Sequence, residues 1–356
     1  IPAMIHSGIE ENDAVTYTMH GCNWPDIPGK QRTVRSHVVN LPDHVRETLF
    51  SLEEEPEDIE TIYDAFLTRI KQDVETVCDQ MREDRNNWKS RAPGRLRVDD
   101  CFLDGPIARA RSWQLGGVKY NNVISAIVGI ASAADSLAAV DELIFKSKKM
   151  NMETLKQALN DDFADQERLR RMCLHTSKFG QDEERADQHA ANILKAVQKQ
   201  IDRASRVDSE GGVIVFRCLE TDMRHIRLGK TLAATPDGRH NGQPISENTS
   251  PYPGAARNGI TAMLRSVTKL PLHGINSGAL NVRMQPRLFA DDEGLERLAA
   301  LLRAYFDMGG LQVQLSFADV EELRHAQLHP EQHRDLMIRI TGYSAAFVDM
   351  DKQAQD

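Results

Sequence analysis

Over residues 57–88, apolar side chains recur at Ile59, Ile62, Tyr63, Phe66, Ile70, Val74, Val77 and Met81, the three-to-four-residue period of one helix face. The spacing predicts one long amphipathic helix. The same period predicts helices over 121–149, 183–205 and 293–306, punctuated by glycine pairs such as Gly116-Gly117 and Gly211-Gly212. Short β-branched and apolar runs at 213–219, 312–317 and 337–340 read as strands beside those helices. Helix and strand in alternation imply an α/β sheet or barrel. The stretch 235–254 is rich in turn formers and too polar for a core element, which makes it an ordered functional loop or a plain surface connection.

At 356 residues the chain has ample material for a buried core, as two domains or one large α/β unit. Its 40% hydrophobic and 27% charged residues are those of a globular protein, which excludes a disordered or collagen-like chain. The net charge of −9 is spread without a basic tract, so neither nucleic acid nor an anionic membrane is an expected partner. The weakly polar run 123–134 ends at Asp135, short of the roughly 18 apolar residues that span a bilayer. The first residues lack an initiator Met, a basic n-region and an apolar h-region, so no signal peptide is expected and a fragment or processed chain is. Five irregularly spaced cysteines without a C-x-x-C pair read as reduced thiols in a cytoplasmic protein.

Several chemistries lose their sequence support. There is no Walker A spacing, no G-x-G-x-x-G and no H-E-x-x-H, and Ser277 sits one residue too late for a G-x-S-x-G elbow. Asn248-Thr249-Ser250 has the form of a glycosylation acceptor, read here as ordinary loop. His20, His240 and His273 lie in turn-like contexts and are candidate ligands or bases, although isolated histidines are more often surface or hydrogen-bonded core residues. Two segments place unusual residues in tight turns. In one, Cys22 is framed by Gly21, Pro25, Pro28 and Gly29, so its thiol is expected to project from a loop. In the other, Gly342 interrupts the strand-like run Arg339-Ile-Thr-Gly-Tyr-Ser-Ala-Ala-Phe347, where a bulge is the plain alternative. Cys78 and Cys173 fall on or after helical stretches, and Cys101 and Cys218 border strand-like ones, where a thiol simply packs.

With these segments the chain resembles the glycyl radical enzyme family, the pyruvate formate-lyase-like proteins. The likeness rests on the run 339–347, on Gly309-Gly-Leu-Gln-Val-Gln-Leu-Ser316 and the helix-like stretch after it, and on Thr235-Pro-Asp-Gly-Arg-His240. Ser132-Ala-Ala-Asp-Ser-Leu137, His175-Thr-Ser-Lys-Phe-Gly180 and Gly116-Gly-Val-Lys-Tyr-Asn121 add to it, in the family's order, as does Gly21-Cys22 at the front. The resemblance implies part of a ten-stranded α/β barrel whose two finger loops meet at the centre, with Gly342 storing a backbone radical and Cys22 relaying hydrogen. Residue chemistry agrees. Only glycine lacks the Cβ that would crowd a planar α-carbon conjugated with both flanking peptides, and a polarizable thiol passes hydrogen reversibly. It also implies residues 1–230 as the second half of the catalytic barrel and 231–356 as the glycyl radical domain, in one continuous unit.

The expected activity is radical cleavage of a small organic substrate by a lyase of anaerobic metabolism. The expected partner is a radical S-adenosylmethionine activase that holds the iron–sulfur cluster, leaving this chain without a metal of its own and assembled as a homodimer. Many family lyases carry a glutamate two residues after the thiyl cysteine, where this chain has Trp24. Asp26 and His20 are then the candidate bases, while Asn23 and Trp24 are candidate pocket residues, the indole supplying an aromatic wall. Cys22 has no adjacent cysteine, which disfavours pyruvate cleavage through an acyl-cysteine. A carbon–carbon bond-forming or acyltransferase-type member, or a truncated non-catalytic homologue, are the alternatives.

Overall fold

The computed structural model describes residues 1–20, 24–91, 95–204, 214–219, 223–317, 319–340 and 343–355. Two short helices, α1 (Pro2–His6) and α2 (Glu11–Ala14), precede a hairpin of β1 (Thr18–His20) and β2 (Trp24–Asp26). β3 (Gln31–Asn40), α3 (Leu41–Ser51) and α4 (Ile59–Arg91) follow, then β4 (Tyr120–Val128), α5 (Ile130–Val140), α6 (Met152–Asn160), α7 (Glu167–Leu174) and α8 (Glu184–Ala204). The remainder runs through β5 (Ile214–Leu219), α9 (Arg224–Thr231), α10 (Gly259–Thr268), β6 (Ser277–Met284), α11 (Asp292–Asp307), β7 (Gln312–Phe317) and α12 (Val320–Leu328) to a second hairpin, β8 (Met337–Ile340) and β9 (Tyr343–Ala346).

Strands β3 to β7 form one parallel sheet in sequential order, the result expected when each crossover carries a helix. The sheet continues past residue 230 through the β5–β6 pairs Cys218↔Ser277 and Leu219↔Gly278. Val39, Ile127, Leu219 and Leu280 share one face, buried with Val45 of α3, Phe66 and Ile70 of α4, Leu137 of α5 and Ile193 and Val197 of α8. The apolar stripe read over 57–88 is therefore the inner surface of α4, and its Ile62, Phe66 and Ile70 are fully buried.

The helix expected over 121–149 is instead a strand followed by a helix, β4 and α5. Both are buried nearly throughout, so the 3.6-residue and two-residue periods that separate helix from strand are absent from the sequence. The break is Gly129, at φ +82, where a Cβ would stand 2.5 Å from the Pro42 ring. Gly117, before β4, is equally constrained, since a Cβ there would lie 1.7 Å from the Arg111 carbonyl oxygen.

The polar stretch 235–254 is not a surface connection. Arg239 is 2% exposed, and its guanidinium donates to the carbonyls of Leu232, Ala233 and Gln243 and to Thr235 Oγ1. Ser246 and Ser132 exchange backbone-to-hydroxyl bonds of 3.0 and 2.9 Å. Polar residues can build this buried loop because most of their donors find acceptors within it or on the elements beside it. Asn248 is 1% exposed, so the sequon is closed to a glycan. Cys101 does not pack beside a strand as expected; it lies exposed in a 3₁₀ turn, Val98–Phe102. Cys173 and Cys218 are buried, the latter inside β5.

Candidate functional site

Because paired residues in adjacent strands point the same way, the registers identify a second face of the sheet. Ala126, Cys218 and Ser277 lie side by side on it, and alternation along β6 adds Asn281 and Arg283, paired with Gln314 and Ser316 of β7. The helices cover the opposite face, and both hairpins meet this one. Trp24 and Ile27 pack with Ile124, Ala126 and Cys218 in a cluster that also holds Met4, Ile9 and Tyr120. Strands β8 and β9 meet the far half of the face, where Ile338 and Ser344 line a cavity of about 360 Å³ together with Asn281, Arg283, Gln314 and Ser316.

The first hairpin is clamped at its base. Asp13, 4% exposed, precedes β1, and Lys30 follows β2; the Lys30 ammonium donates to Asp13 Oδ1 at 2.6 Å. Lys119 and the Tyr120 hydroxyl both donate to Oδ2 at 2.7 Å. Bonds from Lys119, Lys30 and Tyr120 hold this carboxyl well below the ordinary range, and the partnership raises the Lys119 ammonium in turn. Gln31, itself buried, adds a contact of 3.5 Å from its amide nitrogen to the Pro25 carbonyl within β2. Lys119 and Tyr120 come from the Gly116-Gly-Val-Lys-Tyr-Asn121 stretch singled out in the sequence, but nothing in the spacing connects Asp13 to residues more than a hundred positions away.

The pairing His20↔Trp24 leaves residues 21–23 as the connection of the first hairpin, and Ile340↔Tyr343 leaves 341–342 as that of the second. Cys22, Asn23 and Gly342 thus lie outside the described residues, as does the side chain of His20. Trp24 is half-buried against the apolar cluster. Asp26 stands at the hairpin base opposite Thr18, its carboxylate accepting from its neighbour Ile27 N at 3.0 Å. His240 Nδ1 stands 3.0 Å from Asp162 Oδ1, and His273 lies in the turn Leu272–Gly274 before β6.

Known proteins agree with this arrangement. The sequence model described as pyruvate formate lyase-like matches residues 1–215, and the glycine radical model matches 245–348. The trans-4-hydroxy-L-proline dehydratase of Clostridioides difficile is 34% identical over 260 residues, 73% of this chain and 32% of that protein. The probable dehydratase YbiW of Escherichia coli is 31% identical across the whole chain and 47% of its own length. Among solved structures, the glycerol-bound B12-independent glycerol dehydratase from Clostridium butyricum superposes on 99% of the chain with a TM-score of 0.89 at 30% identity, using 46% of its own residues. The chain spans about half the length of these relatives or less, and its parallel sheet is part of their α/β barrel. With one family model covering the first 215 residues and the radical-domain model most of the last hundred, the chain belongs to the pyruvate formate lyase-like glycyl radical enzymes.

Proposed function

We propose that this chain supplies the cysteine loop and the glycyl radical domain of a radical lyase that removes a leaving group such as water or sulfite from a small substrate. The observation that carries the reading is that two hairpins, connected through 21–23 and 341–342, address one face of one sheet. A two-residue hairpin connection favours glycine, which fits Gly342. Relatives named for removing water or sulfite support this reading: a trans-4-hydroxy-L-proline dehydratase, an isethionate sulfite-lyase from Bilophila wadsworthia and a (2S)-3-sulfopropanediol dehydratase from Klebsiella oxytoca.

A radical at Gly342 supplies one capacity, reversible removal of the Cys22 thiol hydrogen. Cys22 takes a hydrogen atom from a substrate carbon, the neighbouring carbon releases its leaving group with the bonding electrons, and Cys22 returns the hydrogen to the product. The thiol is thus regenerated. Asp26 or His20 would take the proton that the Trp24 substitution leaves without a glutamate, and Asn23 and Trp24 would bound the substrate. In this reading residues 1–230 bring Cys22 and 231–356 bring Gly342, within a cytoplasmic homodimer of an anaerobe. A separate activating enzyme carries S-adenosylmethionine and the iron–sulfur cluster. Among the described residues no helix is long and apolar enough to cross a membrane.

The test uses the full-length protein, activated without oxygen by its cognate enzyme. Paramagnetic resonance should show a doublet from the remaining α-hydrogen of Gly342 that collapses with deuterated glycine. Cys22→Ser should keep that doublet and form no product, because the hydroxyl O–H bond is too strong for the relay, and Ala at each of the other four cysteines should leave turnover intact. Turnover by Cys22→Ser, or a signal indifferent to glycine deuteration, would sink the assignment.

A further inference from the structure

The cavity of about 360 Å³ beside the second hairpin falls within the size range of small-molecule sites, roughly 300–1,000 Å³. Asn281 and Arg283 of β6 line it next to Gln314 and Ser316 of β7, and Glu247 of the buried loop 235–254 and His225 of α9 complete its polar lining. These walls are tied together. Ile245 N donates to the His225 carbonyl at 3.2 Å, and Asn281 N donates to Ser250 Oγ at 3.1 Å. Among the described residues, neither the Arg283 guanidinium nor the Glu247 carboxylate has a hydrogen-bond or ion-pair partner, so the two charges do not meet each other. His225 Nδ1 and Asn281 Oδ1 are buried atoms that also lack a hydrogen-bond partner. Ile226, Leu323, Ile338 and Phe347 supply an apolar wall.

We propose that this cavity is a binding site for a free α-amino acid, with its carboxylate on Arg283 and its ammonium on Glu247. An unpaired acid and an unpaired base in one cavity select a ligand that carries both charges. A simple anion would satisfy Arg283 and face the Glu247 carboxylate, and a simple cation would do the reverse, so either leaves like charges opposed. Asn281 Oδ1 is a further acceptor for the ammonium, and the apolar wall receives the side chain. Because Arg283 is exposed, the site is open to solvent.

The occupant would touch the sheet, α9 and the radical-bearing hairpin together, since Ile338 and Ser344 belong to β8 and β9. A ligand that binds only while the hairpin is seated stabilises the seated state. Neither a radical nor a thiol is needed, so the site stands independently of the lyase reading.

Full-length, unactivated protein is melted with each of the standard L-amino acids in turn. Each one that binds is titrated calorimetrically beside the carboxylic acid and the amine that lack one of its two charges, for valine isovalerate and isobutylamine. At least one amino acid should raise Tm by about 2 °C or more, with both single-charge analogues weaker by about tenfold or more. Arg283→Gln and Glu247→Gln should each weaken binding by about tenfold or more while leaving the ligand-free Tm unchanged, and amide hydrogen exchange over 337–346 should slow on binding. Trp24→Ala, in the first hairpin, should bind as the wild type does. A lack of response to every amino acid, an analogue that binds as tightly, or affinity that survives both charge substitutions overturns the proposal. Loss of binding in Trp24→Ala alone does so too, because it would place the ligand at the first hairpin.

Discussion

Asp135 is a buried carboxyl whose chemistry departs far from its type. It is 1% exposed on α5, accepting from Phe179 N at 2.7 Å, and its burial pushes the carboxyl up to about 7 against the pull of Lys178. An unfolded aspartate titrates near 3.9. The folded state therefore binds the proton more tightly, so this group's contribution is fully favourable below the unfolded value and is lost as pH rises toward 7. His189, lowered to about 4 by burial, runs the other way and loses its contribution on acidification. Asp135→Asn keeps an acceptor for Phe179 while removing the ionisation. The variant's melting temperature should gain on the wild type from about pH 5 to about pH 8, with the His189 slope common to both and absent from the difference. A pH-independent difference between the two melting curves would contradict the assignment.

Among the elements, the first hairpin depends on a clamp outside itself. Asp13 meets Lys30, Lys119 and Tyr120, joining the segment before β1 to the residue that precedes β3 and to the start of β4. Asp13→Asn keeps the shape and removes the charge, so it should lower the melting temperature at neutral pH by a few degrees. It should also reduce turnover while leaving the radical yield unchanged, since the second hairpin is anchored elsewhere. Because this carboxyl is depressed, its contribution is present above the unfolded value and is lost as pH falls from there toward the much lower folded value, so the gap between variant and wild type should begin to narrow only below about pH 4. A gap in melting temperature that does not narrow as pH falls further would contradict the clamp.

Legibility followed the same division. α4 and α8 were readable because each buries one stripe, and the two hairpin segments because cysteine and glycine in tight turns are chemically conspicuous. β3 was missed because Arg32, Arg35 and His37 interrupt its apolar positions, and β6 because its surroundings, not its pattern, make it a strand. The Asp13 clamp is a pairing across the fold and leaves no local pattern, whereas the bonds of Arg239 are local but carried by polar residues that read as an exposed loop.

For the whole molecule, the sheet's parallel order leaves β3 and β7 as its edges among the described residues, and relatives about twice as long continue the same barrel. A closed barrel would exclude oxygen from the face that both hairpins address. A radical at Gly342 that does meet oxygen adds it at the α-carbon and breaks the backbone there, separating the tail that begins at Tyr343. The fold determines how that cut is seen. β9 stays paired to β8, and Phe347 is 1% exposed, with its amide bonded to the Leu336 carbonyl and its own carbonyl accepting from Gln355 Nε2 at 2.8 Å. The severed tail should remain seated under native conditions. Activated protein exposed to air should therefore elute unchanged from a sizing column yet release a peptide beginning near Tyr343 under denaturing mass spectrometry, whereas unactivated protein in air should release none. Cleavage at another position, or cleavage without activation, would place the radical elsewhere than Gly342.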